Sequence, residues 1–256
     1  TCTFKNETGD YDITYSNGII SKAIIKFTDG SSYEGTCTST KLTGSGTMVF
    51  TNGDSYFGAF VDGKRSGEGV YKWSSGDEYN GDWHEDKMEG SGEYKYSNGN
   101  YAKGTFKMNT FSDGDYYCKN DAGTYNYSVT SGTPTSVDIS LNNGTTYKGA
   151  MSNGKLTGEA KIKYSNGDSY SGKVDNGQKS GSGNYYWSNG SSYKGDWSND
   201  QMNGSGTYYY TSKSTGERLE GTFKNNSPDG TCTYYTDSTT SYKTDWSNGK
   251  CVKKYE

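Results

Sequence analysis

A block of aromatic residues and glycines returns every 23 residues in this chain. Tyr79-Asn80-Gly81-Asp82-Trp83 is followed by Gly90-Ser91-Gly92, then Tyr94, Tyr96 and Gly99. One step back, the same positions hold Tyr56, Gly58, Phe60, Gly67, Gly69, Tyr71, Trp73 and Gly76. A further step gives Tyr33, Gly35, Cys37, Gly44, Gly46, Phe50 and Gly53. A fixed period in this range marks a repeat array, in which each unit buries its apolar face only against its neighbours.

Within each block the apolar residues alternate. Side chains at i, i+2 and i+4 of a strand share a face, so Tyr79, Gly81 and Trp83 point one way and Asn80 and Asp82 the other. Gly92, Tyr94 and Tyr96 repeat the pattern, as do Gly183, Tyr185 and Trp187. No segment shows the 3.6-residue period of a helix. Asn-Gly at Asn52, Asn98, Asn153, Asn166 and Asn189, with Asp-Gly at Asp29 and Asp62, suits the positive φ angles of tight hairpin turns. Each repeat therefore reads as two short antiparallel strands. The glycine between Tyr79 and Trp83 leaves bare peptide on the aromatic face, which a ring from a neighbouring strand is expected to cover.

The motif Tyr-x-Gly-x-Trp/Phe, then Gly-x-Gly, an aromatic and a closing glycine resembles the MORN (membrane occupation and recognition nexus) repeat. The resemblance implies an all-β protein: an elongated, twisted single antiparallel sheet of about ten tandem hairpins. Some twenty strands about 4.8 Å apart would give a rod of about 95 Å. It also implies a non-catalytic scaffold that binds a protein partner or dimerises. The weight of the family name on membranes is not matched by the charge of this chain.

Residues 1–10 read as a polar lead-in or half of a capping hairpin. A first block covers 11–123, with a worn repeat from Tyr11 and good ones from Tyr33, Tyr56 and Tyr79. The repeat near Tyr101 keeps Gly104 and Phe106, then slips by a residue through Asp113-Gly114-Asp115. Residues 124–146 are a worn repeat or a bend. A second block covers 147–256, from Tyr147, Tyr170 and Tyr193, with an insertion at 212–216 and a closing half repeat from Tyr242 to Gly249. The order of worn, good and irregular repeats occurs twice, a hint of duplication.

Composition narrows the function. Apolar residues are only 29% of the chain, but 15% are Phe, Trp or Tyr, which disordered chains lack. The net charge is −4 with no run of Lys or Arg, so nucleic acid is a poor partner. No stretch approaches the roughly 18 apolar residues of a transmembrane helix. Cys2, Cys37, Cys118, Cys232 and Cys251 are dispersed and His84 is the single histidine, an arrangement unsuited to zinc. An odd count allows at most two disulfides. Cys37 stands where other repeats hold Trp or Phe, and Cys232 where they hold Gly. Neither a catalytic constellation nor a cofactor motif is expected: His84 lies in a polar turn beside Asp82, Glu85, Asp86 and Glu89, and Gly-Ser-Gly lacks the helix and Lys of a phosphate loop.

The candidate binding surface is the aromatic face: Tyr56, Phe60, Trp73, Tyr79, Trp83, Tyr96, Tyr170, Trp187, Tyr193, Trp197 and Tyr210. These rings serve either as core or as a platform for a protein, a second copy or a carbohydrate. In the carbohydrate alternative, a cell-surface protein would stack sugars on Trp73, Trp83, Trp187 and Trp197. Abundant Asn, Ser, Thr, Tyr and Gly with little Leu favours an extracellular location over a cytosolic one.

Overall fold

The computed structural model describes residues 1–38, 41–211 and 216–255. Most of the 212–216 insertion falls outside them. The described residues contain no helix and 24 strands, assigned to one antiparallel sheet. They fall into two compact units, 1–119 with 128–133 and 120–127 with 134–256.

In the first unit, strands pair antiparallel with their sequence neighbours from Cys2–Asn6 to Thr110–Asn120. The lead-in is thus one arm of a hairpin with Gly9–Ser16. The second unit follows the same rule from Thr133–Leu141 to Lys250–Lys254.

The repeat beginning at Tyr56 shows why the motif has its spacing. Gly58, on strand Ser55–Val61, lies directly opposite Gly69, on strand Lys64–Lys72. The Tyr56 ring lies over both glycines, fully buried, and its hydroxyl donates to the carbonyl of Ala59 at 3.0 Å. A Cβ on Gly69 would stand 2.2 Å from Oη and 2.5 Å from Cε2 and Cζ of that ring. Tyr33, Tyr79, Tyr170 and Tyr193 repeat the arrangement, donating to Thr36, Asp82, Lys173 and Asp196. The covering ring over Gly81 is therefore that of Tyr79 on its own strand, not a neighbouring strand's. The expected cross-strand relation holds for the partner glycine, Gly92. The short reach from i to i+2 leaves room for one ring, and the hydroxyl bond fixes it there.

The first glycine of Gly-x-Gly has a different reason. The register shifts between Gly58 and Phe60, and Gly67 opposite sits at φ +82°. It is the bulge residue, a left-handed position that favours glycine.

Turns also divide in two. Within the repeat, Asp62-Gly63 has both φ angles positive, 54° and 85°, as the two-residue hairpin turn requires. Between repeats, Asn52-Gly53 has only the glycine positive, and Gly53 N–H donates to Phe50 while Phe50 N–H donates to Asp54. Asn98, Asn166, Asn189 and Asp29 belong to this second kind, so there the dipeptide marks a longer turn than the tight one its composition suggests.

Worn repeats show what the motif tolerates. At Tyr101 the chain is offset by one, so Ala102 takes the core position and Tyr101 stacks on Tyr117 at 5.1 Å on the other face. Tyr147 faces Ala160 instead of glycine and is the one described side chain whose buried polar atom lacks a partner. In the repeat from Leu219, leucine replaces the covering tyrosine and Cys232, facing Gly221, replaces the partner glycine; both are fully buried.

Candidate functional site

The aromatic face splits into two rows. Tyr56, Phe60, Tyr79, Trp83, Tyr170, Tyr193 and Trp197 are buried. They touch edge to face, as Trp83 does with Tyr56 at 5.4 Å and Tyr79 at 5.3 Å, and Trp197 with Tyr170 at 5.6 Å and Tyr193 at 5.3 Å. Such pairs add about 0.5–1.5 kcal/mol each beyond burial. Each indole also donates to a glycine carbonyl on the preceding, paired strand, Trp83 to Gly69 and Trp197 to Gly183. A platform for sugars cannot use Trp83 or Trp197, which are only 4% and 5% exposed.

The second row is half-buried. Trp73, Tyr94 and Tyr96 run through the first unit at centroid spacings of 5.0 and 4.7 Å. Trp187, Tyr208 and Tyr210 run through the second at 5.3 and 5.0 Å. Of the eleven rings singled out above, Trp73, Tyr96, Trp187 and Tyr210 thus reach solvent in part, and Tyr96 most.

Turn carboxylates tie this row from repeat to repeat. Asp54 accepts from Ser74 N–H and the Tyr71 hydroxyl, and Asp168 from Ser188 N–H and the Tyr185 hydroxyl. Asp77 does the same with Ser97 and Tyr94. The Ser74 amide and then the Tyr71 hydroxyl hold Asp54 below the usual carboxylate range. Burial, reinforced by Asp54, pushes Tyr71 up to about 12. At the opposite hairpin tips, backbone N–H groups of one repeat donate to carbonyls of the one before: Gly63 to Leu42, Asp86 to Arg65, Gly177 to Leu156 and Asp200 to Lys179.

Two cations enter the aromatic layer. Arg65 lies 4.4 Å from the Trp83 ring centroid and 5.0 Å from that of Tyr71, and pairs with Asp86 at 3.0 Å. Lys179 lies 5.2 Å from Trp197 and 5.3 Å from Tyr185, and pairs with Asp200 at 3.2 Å. Other repeats place Leu42, Met88, Leu156 and Met202 at this position. The acidic residues around His84 are likewise each engaged: Asp82 accepts from Ser91, Glu89 from Met108, Asp86 from Arg65, and Glu85 pairs with Lys64. All five cysteines are free thiols.

The opposite, polar face carries the opening that sequence reasoning missed. In the second unit a trough of about 850 Å³ runs over the paired glycines Gly172 and Gly183, then Gly195 and Gly206. Ser171, Ser182, Ser205 and Thr207 give it low walls, and Asn184, Lys194, Glu159 and the exposed Tyr209 rise around it. A smaller trough of about 310 Å³ lies over Gly35 and Gly46 in the first unit, beside the exposed Phe57. The available signal was the run of small residues flanking glycines on the polar side, which also describes any solvated strand exterior. Backbone, hydroxyl, amide and one charge of each sign line the larger trough. This chemistry suits hydrogen bonding to a polar chain.

Seven matches to the family model described as MORN repeat cover residues 33–55, 56–78, 79–101, 147–169, 170–192, 193–215 and 220–240, together more than half the chain. No curated protein sequence matches it. Among solved structures, a point mutant of the TCP10 domain of Danio rerio CPAP is 13% identical with a TM-score of 0.40, over 91% of this chain and 98% of that one. The TCP domain of Drosophila melanogaster SAS-4, solved with a proline-rich motif of Ana2, is 14% identical with a TM-score of 0.27, over 83% and 96%. The repeat matches, borne out by facing glycines capped by tyrosines, place this chain in the MORN-repeat family.

Proposed function

We propose that this protein is a non-catalytic scaffold that holds an extended segment of a protein partner along the polar trough of its second unit. The trough itself carries the reading: its glycine floor lets another backbone approach closely, and its walls supply donors and acceptors along several strands. Lys194 and Glu159 on its lining offer one charge of each sign to an extended segment.

The test is blockade. Ser182→Trp and Ser205→Trp fill the trough at exposed positions, and Ser165→Trp in an exposed turn is the control. A partner identified by in-cell cross-linking to the wild type, then produced pure, is titrated against all three variants. Binding weakened at least tenfold by the trough variants alone supports the reading, as does weakening by salt. Unchanged affinity in both trough variants refutes it. Light scattering over a concentration series separates a foreign partner from a second copy, and a panel of soluble polysaccharides tests the carbohydrate alternative.

A further inference from the structure

The residue four places after the covering tyrosine is a buried ring in Phe60, Trp83, Trp197 and, from Leu219, Phe223. In the repeats from Tyr147 and Tyr170 it is Met151 and Val174, which pack into the core, and in the repeat from Tyr33 it is Cys37. The missing ring is not replaced. A cavity of about 560 Å³ opens there, lined by Tyr11, Ile13, Ile25, Phe27, Cys37 and Leu42. Ile13 and Ile25 are buried at its base, while Asn6, Thr8 and Thr38 stand exposed. Its size falls within the roughly 300–1,000 Å³ of small-molecule sites, which are apolar with a few polar groups. Burial pushes the Cys37 thiol up, so the cavity holds a neutral sulfur at pH 7.

We infer that this cavity binds a planar, apolar ring compound of one to three fused rings. The other repeats supply the template for the occupant. Trp83 sits among Tyr56, Tyr71 and Tyr79 at 5.4, 5.9 and 5.3 Å, and Trp197 among Tyr170, Tyr185 and Tyr193 at 5.6, 5.8 and 5.3 Å. A free ring entering beside Cys37 meets Tyr11 and Phe27 in place of those tyrosines and removes apolar surface from water. The site lies in the first unit and is independent of the polar trough.

Titration of the whole chain with 1-anilinonaphthalene-8-sulfonate, followed by displacement with indole, reads the site. One saturable site is expected, displaced by indole. Cys37→Trp supplies the ring covalently and should weaken binding at least tenfold while raising Tm. A second measurement needs no variant: indole should slow alkylation of Cys37 by iodoacetamide, leaving the exposed Cys2 and Cys251 unaffected. Absence of saturable binding, full binding by a folded Cys37→Trp protein, or alkylation of Cys37 at the same rate with and without indole overturns the inference.

Discussion

Placing a methyl group on Gly69 tests the logic of the repeat. The Cβ of Gly69→Ala would stand 2.2 Å from the Tyr56 hydroxyl, so the ring must leave its place between Phe60 and Trp83, at 5.1 and 5.4 Å. Overpacking costs about 1–3 kcal/mol, and loss of the Tyr56 bond to Ala59 adds about 1 kcal/mol. Alanine recovers about 0.5–1 kcal/mol of strand entropy relative to glycine. The balance is a loss of about 1–3.5 kcal/mol, read by urea unfolding with tryptophan emission, since Trp83 touches the displaced ring. The chain contains its own controls. In the repeat from Tyr147, Ala160 opposite Gly149 brings the methyl group and the tyrosine hydroxyl is unpartnered; in the repeat from Leu219, leucine and Cys232 exchange both the ring and the partner glycine. Tyr56→Leu combined with Gly69→Cys should therefore cost less than the two single changes added together. A loss under about 0.5 kcal/mol for Gly69→Ala, or strict additivity in the double variant, refutes the account of tyrosine as a cap on paired glycines.

Arg65→Met should be tolerated within about 1 kcal/mol because Met88 and Met202 fill the same place in other repeats, whereas Arg65→Ala loses packing and cation–π contact worth about 2 kcal/mol; equal losses in urea unfolding would show that the aromatic surroundings are indifferent to what fills them. In acid, Asp54, Asp77 and Asp168 carry depressed folded-state values. Their contribution is present above the ordinary carboxylate range near 4 and disappears as pH falls below it. Asp168→Asn should flatten the acid limb of Tm against pH, and an unaltered limb would count against the clamps. In alkali the sign reverses. Tyr33, Tyr56, Tyr79 and Tyr193 are raised to about 12, chiefly by burial. The folded chain then keeps protons that the unfolded chain releases near 10, so stability falls between about pH 10 and 12. The ultraviolet absorbance of ionised tyrosine should rise in step with loss of structure for this buried set; smooth titration of every tyrosine near pH 10 in folded protein would exclude the buried row.

Spacing alone disclosed the strands, the hairpins and the shared face of Tyr79, Gly81 and Trp83, because alternation is a property of the backbone. It did not disclose that this face has a buried row and a half-buried row. Trp83 and Trp73 have equal claims in sequence, but Trp83 follows the covering tyrosine on one strand, while Trp73 lies just past the end of the preceding strand, at a turn. Nor did Gly-x-Gly reveal its two causes, a bulge at Gly67 and a ring over Gly69. The cysteine at position 37 was recognisable as a substitution for an aromatic, but whether neighbours close over a missing ring depends on packing of Ile13, Ile25 and Leu42 that no local pattern encodes. The trough was hidden for another reason: it is made of what is absent, side chains on glycine and bulk on serine.

The clamps between neighbouring repeats join residues only 17 to 24 positions apart. Sheet proteins ordinarily fold slowly because their strands come from distant parts of the chain, and loop closure must precede contact. Here each new hairpin meets a docking edge that has only just been made. Assembly can proceed by accretion at a nearly constant entropic step, one hairpin after another, as the polypeptide lengthens. A fault in one repeat then leaves those already laid down intact.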